Sequence, residues 1–261
     1  MQTAAFKALN LDYVFLAFKV KSSCIEDAVT GMRALNIRGL NVTMPHKSKV
    51  INFIDRVDLS AQIVNSVNTI LNKDSLLFGF NTDGVGALRA LKENGVQLRG
   101  RKVLLLGAGG AARAIAYAIA KESDELAILD RTVKKAQAIA RLLEKSCGKK
   151  IATGSLSSSD IQRNLQDSDI LINATSIGMK PKAEESLISP KLLRDNLAVM
   201  DIVYNPLVTK LAKDAKAAGA KVVSGVEMLI YQGAASFEIW TGKTAPVEVM
   251  RKVALNHLQK V

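Results

Sequence analysis

Histidine, cysteine, tryptophan and proline are all scarce in this chain of 261 residues: two, two, one and five respectively. Cys24 and Cys147 stand far apart and in no C-x-x-C pattern, so they read as structural thiols outside an oxidising compartment. His46 and His257 are the whole histidine complement, and without a His/Cys/carboxylate cluster no metal site is expected. Aromatic residues make up only 5%, a poor supply for stacking on nucleic-acid bases. No apolar run approaches the roughly 18 residues of a membrane span. The first ten residues lack the charged-then-apolar layout of a secretory signal. The expectation is a soluble cytoplasmic protein with no nucleic-acid and no membrane partner.

What is present is ordinary for a globular protein: 48% apolar and 23% charged residues, which excludes disorder and fibrous repeats. The length fits one large domain or two modest ones. The net charge is +12, and most of the excess lies in residues 85–224, with 23 basic and 14 acidic side chains. Acids and bases are interleaved there, and no tract of five like charges occurs. Such a pattern reads as a solvated basic surface or a site for a small polyanion.

Residues 13–20 (YVFLAFKV) have the composition of a strand. Ser23 and Glu26 have capping-box spacing before a helix to about Asn36, with Ile25, Val29, Met32 and Leu35 as its apolar stripe. A short strand is expected at 39–43 and a helical stretch at 46–54. Segments 67–71 and 75–80 alternate and are joined by Asn72-Lys73-Asp74, a hairpin signal. Thr82 and Asp83 sit at a helix start, with Gly95 past its end. From Lys102 the rhythm changes. Apolar strands (102–106, 126–129, 170–172, 199–203, 221–223) alternate with helical spacing, which predicts an α/β fold with a parallel sheet covered on both faces. From Glu227 onward one or two helices are expected.

Gly107, Ala108, Gly109, Gly110, Ala111 and Ala112 form a G-x-G-x-x-A fingerprint between a predicted strand and a predicted helix, the context that motif requires. Gly107 permits the tight turn, Gly109 lets backbone approach a pyrophosphate, and the helix N-terminus supplies N–H donors. The second strand ends at Asp130, followed by Arg131, Thr132 and Lys135. A carboxylate here holds the ribose 2′-hydroxyl of NAD, whereas a guanidinium meets the 2′-phosphate of NADP. Arg131, Thr132 and Lys135 together favour NADP, with NAD possible through Asp130.

Three further strings stand in order: NVTMPHK (41–47), NSVNT (65–69) and NTDG (81–84). Together with GAGGAARA (107–114), DRT (130–132), NATSIGM (173–179), DIVYNP (201–206) and GVEMLIYQGA (225–234), they closely resemble the shikimate dehydrogenase family over nearly the whole chain. The resemblance implies an N-terminal α/β substrate-binding domain and a Rossmann doubly wound domain, with a cleft between them. It implies residues 1–84 and the C-terminal helices 225–261 on the substrate side, and the linking helix and cofactor domain in 85–224. It further implies reversible NADPH-dependent reduction of 3-dehydroshikimate to shikimate, in a monomer or homodimer. Lys47 and Asp83 match the family's catalytic pair. Thr43, Asn68, Asp83, Tyr204 and Gln232 match substrate positions. Asn173, Thr175, Ser176, Gly225 and Met228 match cofactor-side positions.

The residue types suit that chemistry. An ammonium can polarise a carbonyl and hand on a proton, a carboxylate can orient it, and amides both donate to and accept from a polyhydroxylated ring. Each residue also has a plainer reading. Asp83 could only cap its helix, Tyr204-Asn205-Pro206 could be only a turn, and His46 could be incidental beside Lys47. The resemblance begins inside the family's pattern, downstream of its first strand and a Ser-x-Ser-Pro loop that binds the substrate carboxylate. Ser22 and Ser23 are not its equivalents, so the chain as written is expected to bind substrate more weakly than an extended form. An NAD-dependent quinate/shikimate dehydrogenase and a non-catalytic nucleotide-binding relative are the competing readings.

Overall fold

The computed structural model describes residues 1–259. The chain opens with helix α1 (Gln2–Ala8), α2 (Ile25–Ala34), β1 (Gly39–Asn41), β2 (Arg56–Val57), α3 (Leu59–Ile63), β3 (Thr69–Lys73), β4 (Leu76–Phe80) and α4 (Asp83–Glu93). The four strands form one sheet in the order β1-β3-β4-β2. The first two pairings are antiparallel and that of β2 with β4 is parallel. Its core joins Ile25, Val29 and Met32 of α2 to Val67, Ile70 and Leu77.

Three expectations for this region need correction. Residues 13–20 form no strand; Val14, Leu16 and Phe18 are 64–75% exposed. Strand composition counts only where a neighbouring chain takes the backbone donors and acceptors, and no ladder forms here among the described residues. The segment is fastened instead by side chains: Tyr13 against Phe6, Phe15 against Trp240, and the His46 ring donating to the Val20 carbonyl. Ser23 caps nothing, because a single helical turn at 22–24 precedes α2 and makes Cys24 the residue before it. The hairpin turns two residues later than expected, at Asp74-Ser75, where φ is +53° and +63°. Two left-handed residues match the twist of the flanking strands.

The second half follows its periodicity closely. β5 (Lys102–Leu106), α5 (Gly110–Glu122), β6 (Glu125–Leu129), α6 (Val133–Cys147), β7 (Ala152–Gly154), α7 (Ser158–Gln166), β8 (Ile170–Asn173), β9 (Ala198–Asp201), α8 (Lys210–Ala217) and β10 (Lys221–Ser224) alternate as expected, apart from the short edge strand β7, which the periodicity does not mark. All six strands are parallel, in the order β10-β9-β8-β5-β6-β7. That is the doubly wound arrangement, with the order reversing beside β5. Alternation along β5 shows why both faces are apolar: Val103 and Leu105 enter one core, Leu104 and Leu106 the other. Each such fully buried aliphatic side chain contributes about 1.5–3 kcal/mol.

Two final helices, α9 (Gly225–Thr241) and α10 (Val247–Leu258), return to the N-terminal half. α9 packs with α1 and α10 through Phe237, Phe6 and Met250. The Trp240 indole donates to the Ile70 carbonyl of β3 at 2.9 Å. α4 lies against both α5 and α9, so it connects the two sheets. No described helix is long and apolar enough to cross a membrane.

Candidate active site

The polar centre of the small sheet starts from Asp83, the first residue of α4. An acidic side chain is favoured there by the helix dipole. Its backbone N–H donates to Asn81 Oδ1 at 3.0 Å. Lys47 comes from the turn after β1, and its carbonyl accepts from the Val67 amide at 2.8 Å. That bond fixes the lysine beside the strand that brings Asn68. Lys47 Nζ donates to Asp83 Oδ2 at 2.6 Å, with side chains 19% and 7% exposed. The pair is therefore largely desolvated, a setting in which losing either partner is costly.

Asn68 completes the arrangement. Its Nδ2 donates to Asp83 Oδ1 at 2.9 Å and to Thr82 Oγ1 at 3.0 Å, while its Oδ1 accepts from the Thr82 amide at 2.9 Å. Both carboxylate oxygens of Asp83 are thus held, one by an ammonium and one by an amide. Gln232 arrives from α9. Its Oε1 lies 3.5 Å from Thr82 Oγ1, and its Nε2 donates to the Leu229 carbonyl at 3.0 Å. The approach is close because α4 presents Gly86, where an added Cβ would lie 2.7 Å from the Gln232 backbone nitrogen. Thr43 is exposed in the loop after β1 and Tyr204 is exposed between β9 and α8. Neither touches the Lys47–Asp83–Asn68 cluster through any described hydrogen bond.

At the C-terminal edge of the large sheet, Gly107 has φ +108° and backs onto the Ala174 carbonyl, 2.7 Å from where a Cβ would stand. Only glycine fits that turn. Gly109 and Gly110 face open space at the start of α5, where free N–H groups point outward. Ala108 is buried and Ala111 half-buried. Asp130 is turned onto its own loop: one oxygen accepts from the Ala108 amide at 2.9 Å and the other from the Thr132 amide at 2.8 Å. Arg131, Thr132 and Lys135 are exposed beside it.

Asn173 ends β8, next to Asp201 at the end of β9. Asn173 Nδ2 donates to Asp201 Oδ1 at 2.9 Å, and its Oδ1 accepts from Thr175 Oγ1 at 2.7 Å. Burial pushes the Asp201 carboxyl up from its ordinary value, against the pull of Thr209, Val203 and Asn173 as donors. Ser176 is exposed on the following loop. Gly225 is wedged against the Ile202 and Val203 carbonyls, and Met228 lies in the core beneath the sheet. These two serve packing directly, whatever else they contact.

Several linking residues have no place among the sequence-derived candidates. Thr69, Thr82 and Ser236 form a buried hydroxyl cluster behind Asn68. Arg113, on the first turns of α5, donates to the Val64 carbonyl at 3.1 Å and so reaches the small sheet's loops. Ser236 lies one turn after Gln232 on α9, the one local sign that could have marked it.

Comparison with known proteins identifies the family. Three family descriptions match in succession: a shikimate dehydrogenase substrate binding domain over residues 1–70, a shikimate/quinate 5-dehydrogenase over 89–206, and a shikimate 5′-dehydrogenase C-terminal domain over 225–255. A shikimate dehydrogenase (NADP+) of Methanopyrus kandleri is 47% identical over 99% of this chain and 90% of its own length. A crystal structure of a shikimate dehydrogenase in complex with NADP+ superposes with a TM-score of 0.93 at 41% identity, covering 98% of this chain and 89% of that one. The enzyme from Listeria monocytogenes, in complex with shikimate and NAD, gives 0.91 at 37% identity, covering 96% and 89%. The chain belongs to the shikimate dehydrogenase family.

Proposed function

We propose that this protein catalyses the reversible NADPH-dependent reduction of 3-dehydroshikimate to shikimate. In this reading residues 1–84 and 225–261 hold the substrate, and 85–224 hold the cofactor. The carrying observation is the largely buried Lys47–Asp83 pair with Asn68 on the second carboxylate oxygen. Reducing a ketone requires a hydride on carbon and a proton on oxygen. NADPH, when bound, supplies the hydride. Lys47 Nζ is the group placed to hydrogen-bond the carbonyl oxygen and pass it a proton, and Asp83 holds that ammonium in place. Asn68 and Gln232, which can both donate and accept, read the ring hydroxyls. Thr43 and Tyr204 add contacts to the substrate from exposed loops.

The cofactor cradle fits the dinucleotide. The Gly107–Ala111 turn and the start of α5 receive the pyrophosphate, with Asn173, Thr175, Ser176, Gly225 and Met228 shaping the nicotinamide side. Because the Asp130 carboxylate is engaged by two backbone amides, the loop exterior is left to Arg131, Thr132 and Lys135, which suit a 2′-phosphate. This favours NADP over NAD, and the intact catalytic constellation argues against a non-catalytic relative. We place the reaction in the cytoplasm, in a monomer or homodimer.

The test is oxidation of shikimate, and of quinate in parallel, with NADP+ and NAD+, followed by absorbance of the reduced nicotinamide. Turnover with shikimate and preference for NADP+ is the expected result; absence of turnover with either cofactor overturns the assignment. Arg131→Ala should raise the KM for NADP+ by about tenfold, the cost of one charged hydrogen bond, while leaving that for NAD+ unchanged.

A further inference from the structure

The hydroxyl cluster behind Asn68 lies too deep to meet a substrate. Ser236 and Thr69 are fully buried and Thr82 is 2% exposed. Ser236 Oγ lies 2.8 Å from Thr69 Oγ1 and 3.3 Å from Thr82 Oγ1. The backbone fixes part of the proton order in this cluster. A backbone N–H can only donate, so the Thr82 amide fixes which end of the Asn68 side chain is oxygen. Thr69 Oγ1 donates to that same oxygen at 3.0 Å, closer than Thr82 Oγ1 at 3.2 Å. Asn68 Nδ2 must then face Asp83. Ser236 Oγ carries one proton for two acceptors, Thr69 Oγ1 at 2.8 Å and the main-chain carbonyl of Gln232 at 3.0 Å. Asn41 Nδ2 donates into the cluster from β1, 3.2 Å from Thr69 Oγ1 and 3.1 Å from Ser236 Oγ.

We propose that Ser236 and Thr69 are positioning residues that register the helix carrying Gln232 against the strand that follows Asn68, so that the two amides face one substrate. A fully satisfied buried network holds a single arrangement, whereas a half-satisfied one does not. Neither residue touches substrate or cofactor; both act through their neighbours. The kinetic part of this inference rests on the reaction proposed above.

In steady-state assays, Ser236→Ala should raise the shikimate KM by about five- to tenfold, as for one lost buried hydrogen bond, with the NADP+ KM within about twofold. In a Gln232→Ala background the same change should add less than about twofold, because residues that act through one another are not additive. Thr69→Val should raise the shikimate KM and Thr69→Ser, which keeps the hydroxyl, should restore it. Equal losses in both backgrounds, equal rises in both KM values, or no difference between Thr69→Val and Thr69→Ser would overturn the proposal. A second readout is independent of turnover. The Asn68 side-chain amide protons, followed by NMR, should exchange about tenfold faster in Thr69→Val and Ser236→Ala than in the unmodified protein or Thr69→Ser. If the unmodified protein oxidises no shikimate, the assigned reaction fails while this exchange measurement still decides the positioning: unchanged rates overturn it.

Discussion

The two sheets of this molecule solve different problems. The six-stranded sheet is uniformly parallel, and its central strands are apolar on both faces; Leu104, Leu105 and Leu106 have no exposure at all. Under the proposed function its part rests on backbone: a glycine turn and free N–H groups at a helix start. The four-stranded sheet is mixed, with strands of two to five residues, and exposed apolar side chains lie beside it at 14, 16 and 18. Under the proposed function its part rests on side chains holding side chains: Lys47 on Asp83, Asp83 on Asn68, Asn68 on Thr69 and Thr82. A backbone cradle is carried by the fold and survives surface substitution. A side-chain constellation depends on each member's chemistry. Substitutions in the large sheet should therefore be read in stability, and substitutions in the polar centre of the small one in rate.

The largest expected effect lies in that polar centre. Lys47→Ala should lower kcat by about 10²–10⁴-fold, the range for losing a positioned proton donor, with NADP+ affinity within about twofold. Steady-state kinetics and fluorescence titration of the cofactor measure the two. A comparable loss of cofactor affinity would show that the cradle and the constellation are not separable, and the contrast between the sheets would fail.

The contrast also explains what could be read from residue order. Five of the six strands of the large sheet are visible in it, because strands buried on both faces leave continuous apolar runs; the edge strand β7, Ala152–Gly154, has no buried residue and leaves no such run. The Gly107 turn is legible because only one residue type fits it. The small sheet is less legible. Residues 13–20 have strand composition, but composition does not say whether a partner lies alongside. Asn72-Lys73-Asp74 looks like the hairpin turn, yet pairing of Lys73 with Leu76 moves it to Asp74-Ser75. Ser23 and Glu26 have the right spacing for a cap and no helix start to serve. In the site, Lys47, Asp83 and Asn68 emerge from the order of their motifs. The direction of Asp130 does not, because a carboxylate facing its own loop and one facing a ligand look identical in sequence. Ser236 is marked only by its place one turn after Gln232, which does not say which neighbours the hydroxyl joins.

A second comparison sets packing against exposure. Leu105→Ala removes a fully buried side chain from the large sheet and should cost about 2–5 kcal/mol of unfolding free energy. Phe18→Ser changes a residue 67% exposed beside the small sheet and should alter it by no more than about 0.5 kcal/mol. Urea unfolding followed by circular dichroism gives both. A loss above about 1 kcal/mol for Phe18→Ser, well outside the range for a surface change, would mean that segment 13–20 is buried in solution by a contact absent from this fold.

The smallest effect tests whether the two sheets share any device at all. Each has an aspartate that fastens a strand through its backbone: Asp55 accepts from the Leu77 amide at 2.7 Å in β4, and Asp169 from the Lys102 amide at 2.8 Å in β5. Each also pairs with an arginine, Arg33 or Arg101. The strand amide, then the guanidinium, holds the Asp55 carboxyl below its ordinary value of 3.8. Asp169 is lowered chiefly by the Lys102 amide. A carboxyl whose pKa is lower in the folded than in the unfolded state contributes stability that is fully present above the unfolded value. That stability is lost as pH falls through the folded value. Both carboxyls are about one-third exposed, so solvent screening keeps each contribution below about 1 kcal/mol. Unfolding free energies between neutral pH and the acid side of the carboxylate range should therefore decline less steeply for Asp55→Asn and Asp169→Asn than for the unmodified protein, and by similar amounts. An unchanged slope for Asp55→Asn beside a reduced one for Asp169→Asn would mean that β4 frays before the global transition, leaving the small sheet less cooperative than the large one.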